Sequence, residues 1–217
     1  MLIDLTRIIL KGLIVGIVVS APMGPVGVLC VQRTLNKGRW FGFVTGLGAT
    51  LSDLIYALLT GLGLSFVFDL LEKGHNMFYV QLLGGIMLFF FGLYAYRSNP
   101  TKNFRPVSKN KGSLAQNFAT AFLVTLSNPL IIFLFLGLFA RFNFVDNDQP
   151  LWMDVFGYLT IVVGAVGWWY GLTYFINKIR DRFDQKGIVF INRFIGALVM
   201  VASVVGILFT ITGNTLY

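Results

Sequence analysis

Long apolar runs separated by short polar stretches account for most of this chain. A helix that spans a membrane needs about 20 mostly apolar residues. Six runs meet that length, at 8–31, 40–68, 78–96, 114–140, 152–176 and 188–212. The polar connections are short, and the longest runs from Arg97 to Ser113. The pattern therefore predicts an all-α integral membrane protein with six transmembrane helices in a single transmembrane domain over 1–217.

Composition supports the membrane prediction and excludes a soluble domain. The 217 residues are 56% hydrophobic and 12% charged, with a mean hydropathy of +0.77. Soluble domains carry about 25% charged residues. The net charge of +8 is spread over the connections rather than gathered in a basic run interleaved with aromatics. We therefore expect the lipid bilayer as a partner and no nucleic acid.

Few residues are available for enzymatic or metal chemistry. Cys30 is the single cysteine and His75, in a connection, is the single histidine, so an intrachain disulfide and a Cys/His metal cluster are excluded. The sequence contains no P-loop, no paired-aspartate phosphotransfer motif and no zinc motif. We expect a protein that is not an enzyme and has no cofactor. A proton or other ion gradient is expected as its source of free energy.

The first apolar run lacks a small-x-small cleavage site, so we expect it to be retained.

The distribution of basic residues predicts the orientation, because cytoplasmic connections are enriched in Lys and Arg. Twelve basic residues lie on one side: Arg33, Lys37, Arg39, Arg97, Lys102, Arg105, Lys109, Lys111, Lys178, Arg180, Arg182 and Lys186. Four lie on the other: Arg7, Lys11, Lys73 and Arg141. The richer side is predicted to be cytoplasmic, which places both termini outside the cytoplasm.

Three spans in each half would place the halves in opposite orientations, so an inverted repeat is predicted, with repeat A at 1–105 and repeat B at 106–217. The first span of each half contains proline deep in its apolar run, with Pro22 and Pro25 in the first and Pro129 in the fourth. Both of these spans are therefore predicted to be broken helices.

The third span of each half repeats small residues at the same spacing. Gly92 follows Gly85 by seven positions, and Ser203 follows Gly196 by seven positions. The similarity favours a repeat, while glycines at this spacing are also what ordinary helix packing in membranes uses.

The prolines point to a site at membrane depth. Each one removes a backbone N–H and displaces the carbonyl four residues earlier. Irregular backbone in a membrane is tolerated where it lines a cavity or is buried in protein, and paired breaks in matching spans indicate a transporter site. The candidate residues are Pro22, Gly24 and Pro25 in the first break, and Asn128 and Pro129 in the second. A simple packing kink is the alternative.

Asp53 lies near the middle of the second apolar run, where a charged Asp costs roughly 2.5–3.5 kcal/mol on insertion scales. Steps of three and four place it on one helical face with small and polar residues: Gly42, Gly46, Ala49, Thr50, Ala57, Thr60 and Gly61. The opposite face is large and apolar: Phe43, Leu47, Leu51, Leu54, Leu58 and Leu62. We expect the Asp53 face to meet other helices, where its carboxyl group can bind and release a proton. A structural Asp bonded to backbone freed near Pro22 or Pro129 is the alternative.

Among the other polar residues in the spans, we single out Tyr56, one turn from Asp53, together with Asn128. Most Ser and Thr residues in spanning helices bond their own helix. The aromatic cluster of Trp168, Trp169 and Tyr170 is interpreted as packing or an interfacial belt in preference to a substrate wall.

Several motifs occur in the order found in one transporter family, and together they extend over nearly the whole chain: Gly24-Pro25, Arg33-x3-Lys37-Gly38-Arg39, Gly42, Gly46, Gly48, Asp53, Gly61-x-Gly63, Asn128-Pro129 and Arg193-Phe-Ile-Gly196-Ala. This pattern resembles the lysine exporter (LysE) family. The resemblance implies an inner-membrane exporter of amino acids or related small solutes, driven by ion exchange and forming a homo-oligomer. One departure concerns the substrate: Val26 follows Gly24-Pro25 here, where amino-acid exporters of the family often have a small polar residue.

These observations predict a secondary active exporter in the bacterial inner membrane, with an amino acid or similar small molecule as substrate. Alternating access is expected around the breaks at Pro22, Pro25 and Pro129, with protonation of Asp53 as the coupling step. A metal or other cation exporter is the first alternative, but the spans offer few metal ligands. A structural assembly factor and a channel are further alternatives.

Overall fold

The computed structural model describes residues 2–70, 77–99, 112–144, 150–179 and 185–212. Within these ranges the chain forms eight helices and no strand. The helices are α1 (Leu2–Ser20), α2 (Pro25–Lys37), α3 (Arg39–Leu70), α4 (Met77–Arg97), α5 (Leu114–Leu126), α6 (Leu130–Phe142), α7 (Leu151–Lys178) and α8 (Gln185–Ile211).

Length and composition allow up to six membrane spans. Four helices, α3, α4, α7 and α8, are each long and apolar enough to cross a membrane. The pairs α1 with α2 and α5 with α6 pass the same test together, and they are bent by 78° and 72° at their breaks. The predicted all-α membrane fold is confirmed, as are the breaks in the first and fourth apolar runs.

Proline and its neighbours set both breaks. Pro25 occupies the first turn of α2, where its missing N–H and fixed φ are tolerated, and residues 21–24 separate α2 from α1. Pro129 immediately precedes α6, and α5 ends at Leu126. A proline at either point cannot continue the preceding helix, so each span changes direction there.

The first span of each predicted half packs along the second span of the other half. The broken helix α1 packs along α7, and α5 packs along α3. In each pair a glycine lies against a backbone carbonyl with no room for a Cβ: Gly164 of α7 against Leu13, and Gly48 of α3 against Phe118. This pairing is consistent with the predicted repeat, which stays a prediction. The division into repeats at 105/106 falls outside the described residues and stays a prediction.

Helices α4 and α8 form the most extensive pair in the fold, and glycine permits their close approach. A Cβ on Gly92 would meet the Gly196 carbonyl oxygen, and a Cβ on Gly196 would meet the backbone of Tyr96. Gly85, one heptad before Gly92, lies against Ile207. The glycines that suggested a repeat therefore serve as packing positions between the two third spans.

The two faces predicted for the second apolar run are confirmed in α3. Every small or polar residue named for the Asp53 face is buried, while the opposite face, at Leu51, Leu58 and Leu62, is exposed. Because no water is available in a bilayer core, the exposed apolar face suits contact with lipid.

Arg33 lies elsewhere than predicted. It was counted with the connections, whereas the structure places it inside α2 at 6% exposure. The reason is that α2 continues to Lys37 and turns this face toward α3 and α5. Several other basic residues used for the orientation, and His75, lie outside the described residues, so the placement of the termini stays a prediction.

Candidate functional site

A cavity of about 610 Å³ lies between the two breaks. Its wall is formed by the α1–α2 junction, the α5–α6 junction and parts of α3, α4, α7 and α8. Five of the seven predicted site residues line it, namely Pro22, Gly24, Pro25, Asp53 and Asn128. The fold therefore brings together residues from both halves of the chain around one space.

Asp53 is the one charged side chain among the described residues that line this cavity. It is 4% exposed, and no donor in the described part of the chain hydrogen-bonds its carboxylate. The alternative was a structural Asp hydrogen-bonded to backbone freed near Pro22 or Pro129. Among the described residues no such hydrogen bond is present. A buried carboxyl group without a protein partner is suited to binding a proton or a cationic group that enters the cavity.

The second break is held by Tyr56, which does not itself line the cavity. Its hydroxyl donates to the carbonyl oxygen of Leu126, the last residue of α5, and Ser52 one turn earlier donates to the Phe122 carbonyl oxygen at 2.7 Å. Because α5 ends at Leu126, the carbonyl of that residue has no partner within its own helix and accepts from Tyr56 instead. Tyr56 and Pro129, both predicted as site residues, thus shape the break rather than line the cavity.

Asn128 both lines the cavity and caps α6. Its side-chain oxygen accepts a hydrogen bond from the Leu130 N–H at 3.3 Å, and its backbone oxygen accepts from the Ile131 N–H at 3.3 Å. The first N–H groups of α6 are therefore satisfied locally, as a helix start requires.

The first break is held by Asn192 of α8, a residue that sequence reasoning set aside. Its side-chain oxygen accepts from the Met23 N–H at 2.9 Å, and its amide nitrogen donates to the Ala95 carbonyl oxygen and to the Ser98 hydroxyl oxygen at 2.9 Å. The side chain is 1% exposed and lines the cavity. The only signal in the sequence was a polar amide within an apolar run, since its partners are far away along the chain.

Other polar groups border the same cavity without a protein partner. Ser20 Oγ, Thr125 Oγ1 and Trp169 Nε1 are buried and make no hydrogen bond within the described residues. Trp169 was interpreted as packing in preference to a substrate wall, and in the structure it is one of the residues that line this cavity. Tyr170, by contrast, is half exposed and packs its ring beneath the guanidinium of Arg39, 4.2 Å from ring centroid to Cζ.

The residues available for a metal are sparse. No three His, Cys, Asp or Glu side chains come together within the ranges the structure describes. Cys30 is fully buried and its thiol contacts the Gly42 carbonyl oxygen at 3.3 Å. Nothing in this part of the chain favours the metal-exporter alternative over a site for an organic solute.

Comparison with known proteins relates the chain to a transporter family. The family described as LysE type translocator matches residues 17–213. YcgF of Bacillus subtilis (strain 168), named "Putative amino acid efflux protein", is 31% identical over 184 residues, which cover 83% of this chain and 85% of the relative.

Two further relatives carry no assigned activity in their names. YahN of Escherichia coli (strain K12), an uncharacterized membrane protein, is 27% identical over 78% of this chain and 75% of its own length. The uncharacterized membrane protein slr1627 of Synechocystis is 24% identical over 69% of this chain and 70% of its own length. No solved structure matches the chain. Because the family match extends over most of its length, the chain belongs to the LysE family of translocators.

Proposed function

We propose that this protein is a secondary active exporter that moves an amino acid or related small metabolite out of the cytoplasm in exchange for protons. The observation that carries the proposal is Asp53, a buried carboxyl group that has no partner among the described residues and lines a cavity between two broken spans. The family membership and the name of the YcgF relative support export of a small solute.

In the proposed cycle the breaks act as hinges around a fixed cavity. Short half-helices can tilt about the residues between them, while their partners α7 and α3 remain in the membrane as supports. Asp53 binds a proton when the cavity faces outward and releases it when the cavity faces the cytoplasm. Solute leaves in the opposite direction, so the proton gradient drives export.

The test is efflux of labelled amino acids from proteoliposomes under an imposed pH gradient. Wild-type protein is compared with Asp53→Asn and with Asp154→Asn, a matched acid-to-amide change in α7 outside the cavity. We expect gradient-driven efflux of at least one amino acid from wild type and Asp154→Asn, and none from Asp53→Asn. Undiminished gradient-driven efflux from Asp53→Asn would contradict the coupling role.

The proposed setting is the bacterial inner membrane, with a homo-oligomer whose termini lie outside the cytoplasm. Single cysteines placed in the connections test the orientation with a membrane-impermeant maleimide, in a background where Cys30 is replaced by Ala. Labelling of intact cells near the termini, and none at the predicted cytoplasmic connection of residues 98–113, is expected. The reverse pattern would overturn the orientation and leave the transport proposal intact.

A further inference from the structure

We propose that the cavity binds the zwitterion of an amino acid with an uncharged, apolar side chain, holding its carboxylate at the N-terminus of α2 and its ammonium group at Asp53. This inference rests on the proposed function and narrows its substrate class. It joins two features of the lining of one cavity, which are backbone N–H donors at the start of α2 and a carboxyl group without a partner among the described residues.

The donors are at the start of α2. The Val26 and Gly27 N–H groups have no hydrogen-bond acceptor within the described residues, and both residues line the cavity and are buried. Val28 is the first residue of α2 whose N–H is satisfied, by the Gly24 carbonyl oxygen at 3.1 Å. A helix start with free N–H groups and its positive dipole end is suited to a carboxylate.

The start of α6 lines the same cavity, but its first N–H groups already donate to acceptors within the protein. Asn128 satisfies the Leu130 and Ile131 N–H groups, as described above, and Ile132 donates to the Pro129 carbonyl oxygen at 3.2 Å. The two breaks are thus chemically unequal, although both interrupt a span in the same manner. Of these two helix starts, the start of α2 is the one whose N–H groups have no acceptor among the described residues.

Asp53 supplies the second, independent indication of a ligand. Its carboxylate lines the cavity without a donor from the described residues, and a charged group so deeply buried needs a proton or a cation. The ammonium group of an amino acid provides that cation with three N–H donors. A zwitterion therefore supplies a partner for both features of the lining.

The other residues that line the cavity indicate which kind of side chain the bound amino acid carries. Among the described residues that line the cavity there is no Lys, Arg or His, so an additional carboxylate on the solute would lack a positive partner there. A second ammonium group would compete for Asp53, the one acidic side chain in the described part of the lining. The lining also includes Met23, Phe91, Leu134 and Trp169, against which an apolar side chain can pack.

The experiment is substrate counterflow in proteoliposomes at fixed pH without a gradient, which measures recognition separately from coupling. Leucine, methionine and phenylalanine are compared with glutamate and lysine as solutes. The best solute is then competed with two analogues of itself, the amide, which lacks the carboxylate, and the deaminated acid, which lacks the ammonium group.

We expect counterflow of at least one apolar amino acid, with each analogue competing about 10- to 100-fold more weakly, as the loss of a charge-assisted hydrogen bond predicts. In Asp53→Asn the deaminated acid should lose most of this disadvantage, whereas Asp154→Asn should behave as wild type. Thermal unfolding in detergent verifies that each variant is folded.

The outcomes separate the two proposals. Counterflow of glutamate or lysine in preference to the apolar amino acids would overturn the inferred substrate class and leave the exporter proposal standing. An amide that competes as well as its parent amino acid would overturn the α2 carboxylate site. Counterflow of no amino acid at all, from folded wild-type protein, would overturn the proposed function itself.

Discussion

Asn192 and Met23 are joined by a hydrogen bond of 2.9 Å between the amide oxygen of one and the backbone N–H of the other, although 169 positions separate them. We expect Asn192→Ala to reduce stability by about 1–3 kcal/mol, because it leaves the Met23 N–H buried without an acceptor. Asn192→Asp should not recover this loss, because its carboxylate keeps the acceptor but brings a buried charge against the Ala95 carbonyl oxygen, to which the amide nitrogen now donates. Thermal unfolding in detergent provides the measurement. Equal behaviour of Asn192→Ala and Asn177→Ala, an exposed position in α7, would contradict the prediction.

The bond from Tyr56 to the Leu126 carbonyl gives a second prediction. Tyr56→Phe keeps the ring and removes only the hydroxyl donor at the end of α5. We expect a loss of about 1–3 kcal/mol in stability and a slower transport cycle, because the second break loses its external support. Tyr79→Phe, at an exposed position of α4, is the matched control and should change neither quantity. A Tyr56→Phe protein as stable as the control would show that the Leu126 carbonyl finds another partner.

Arg33 links three helices through one guanidinium nitrogen, which donates to Thr45 Oγ1 at 2.9 Å and to the Asn117 carbonyl oxygen at 2.8 Å. We expect Arg33→Ala to lower the unfolding temperature markedly and Arg33→Lys to restore only part of it, because an ammonium cannot reproduce the planar guanidinium. The exposed Arg193 supplies the control substitution, Arg193→Ala. Full rescue by Lys would indicate that charge alone, rather than the bridging geometry, is required.

Gly16 and Gly167 should respond to alanine with opposite signs. A Cβ on Gly16 would collide with the backbone of Ile161 and Ala165 in α7, whereas a Cβ on Gly167 would meet nothing within 4 Å. Gly16→Ala is expected to destabilise by about 1–3 kcal/mol through overpacking. Gly167→Ala is expected to stabilise by about 0.5–1 kcal/mol through helix propensity. Calorimetry or thermal unfolding distinguishes them, and a shift of the same sign in both would refute the packing argument.

The sequence predicted the features that depend on local pattern. The period of three and four residues around Asp53 identified the buried face of α3, and the prolines identified both breaks, because each of these effects acts within a few residues. The family resemblance was likewise carried by short motifs, and the family match over 17–213 confirmed it.

The features that the sequence did not reveal depend on contacts between distant helices. Asn192 was one polar residue among many in the spans, and its role became visible only when α8 was placed beside the first break. Arg33 was assigned to a connection because basic residues cluster there, although its own side chain bridges α3 and α5. Trp169 packs in a buried cluster, as predicted, but that it also lines a cavity was not visible from an aromatic in an apolar run.

Asp53, the single charged side chain that the described residues contribute to the cavity, also determines how the membrane voltage acts on the protein. In the proposed cycle the cavity opens outward with Asp53 negatively charged and a neutral zwitterion bound. It opens back to the cytoplasm with Asp53 protonated and therefore neutral. Each turnover then carries one positive charge into the cell. A potential of 100 mV, negative inside, contributes about 2.3 kcal/mol per charge. Export would therefore be electrogenic, and voltage would drive it even where the pH on the two sides is equal.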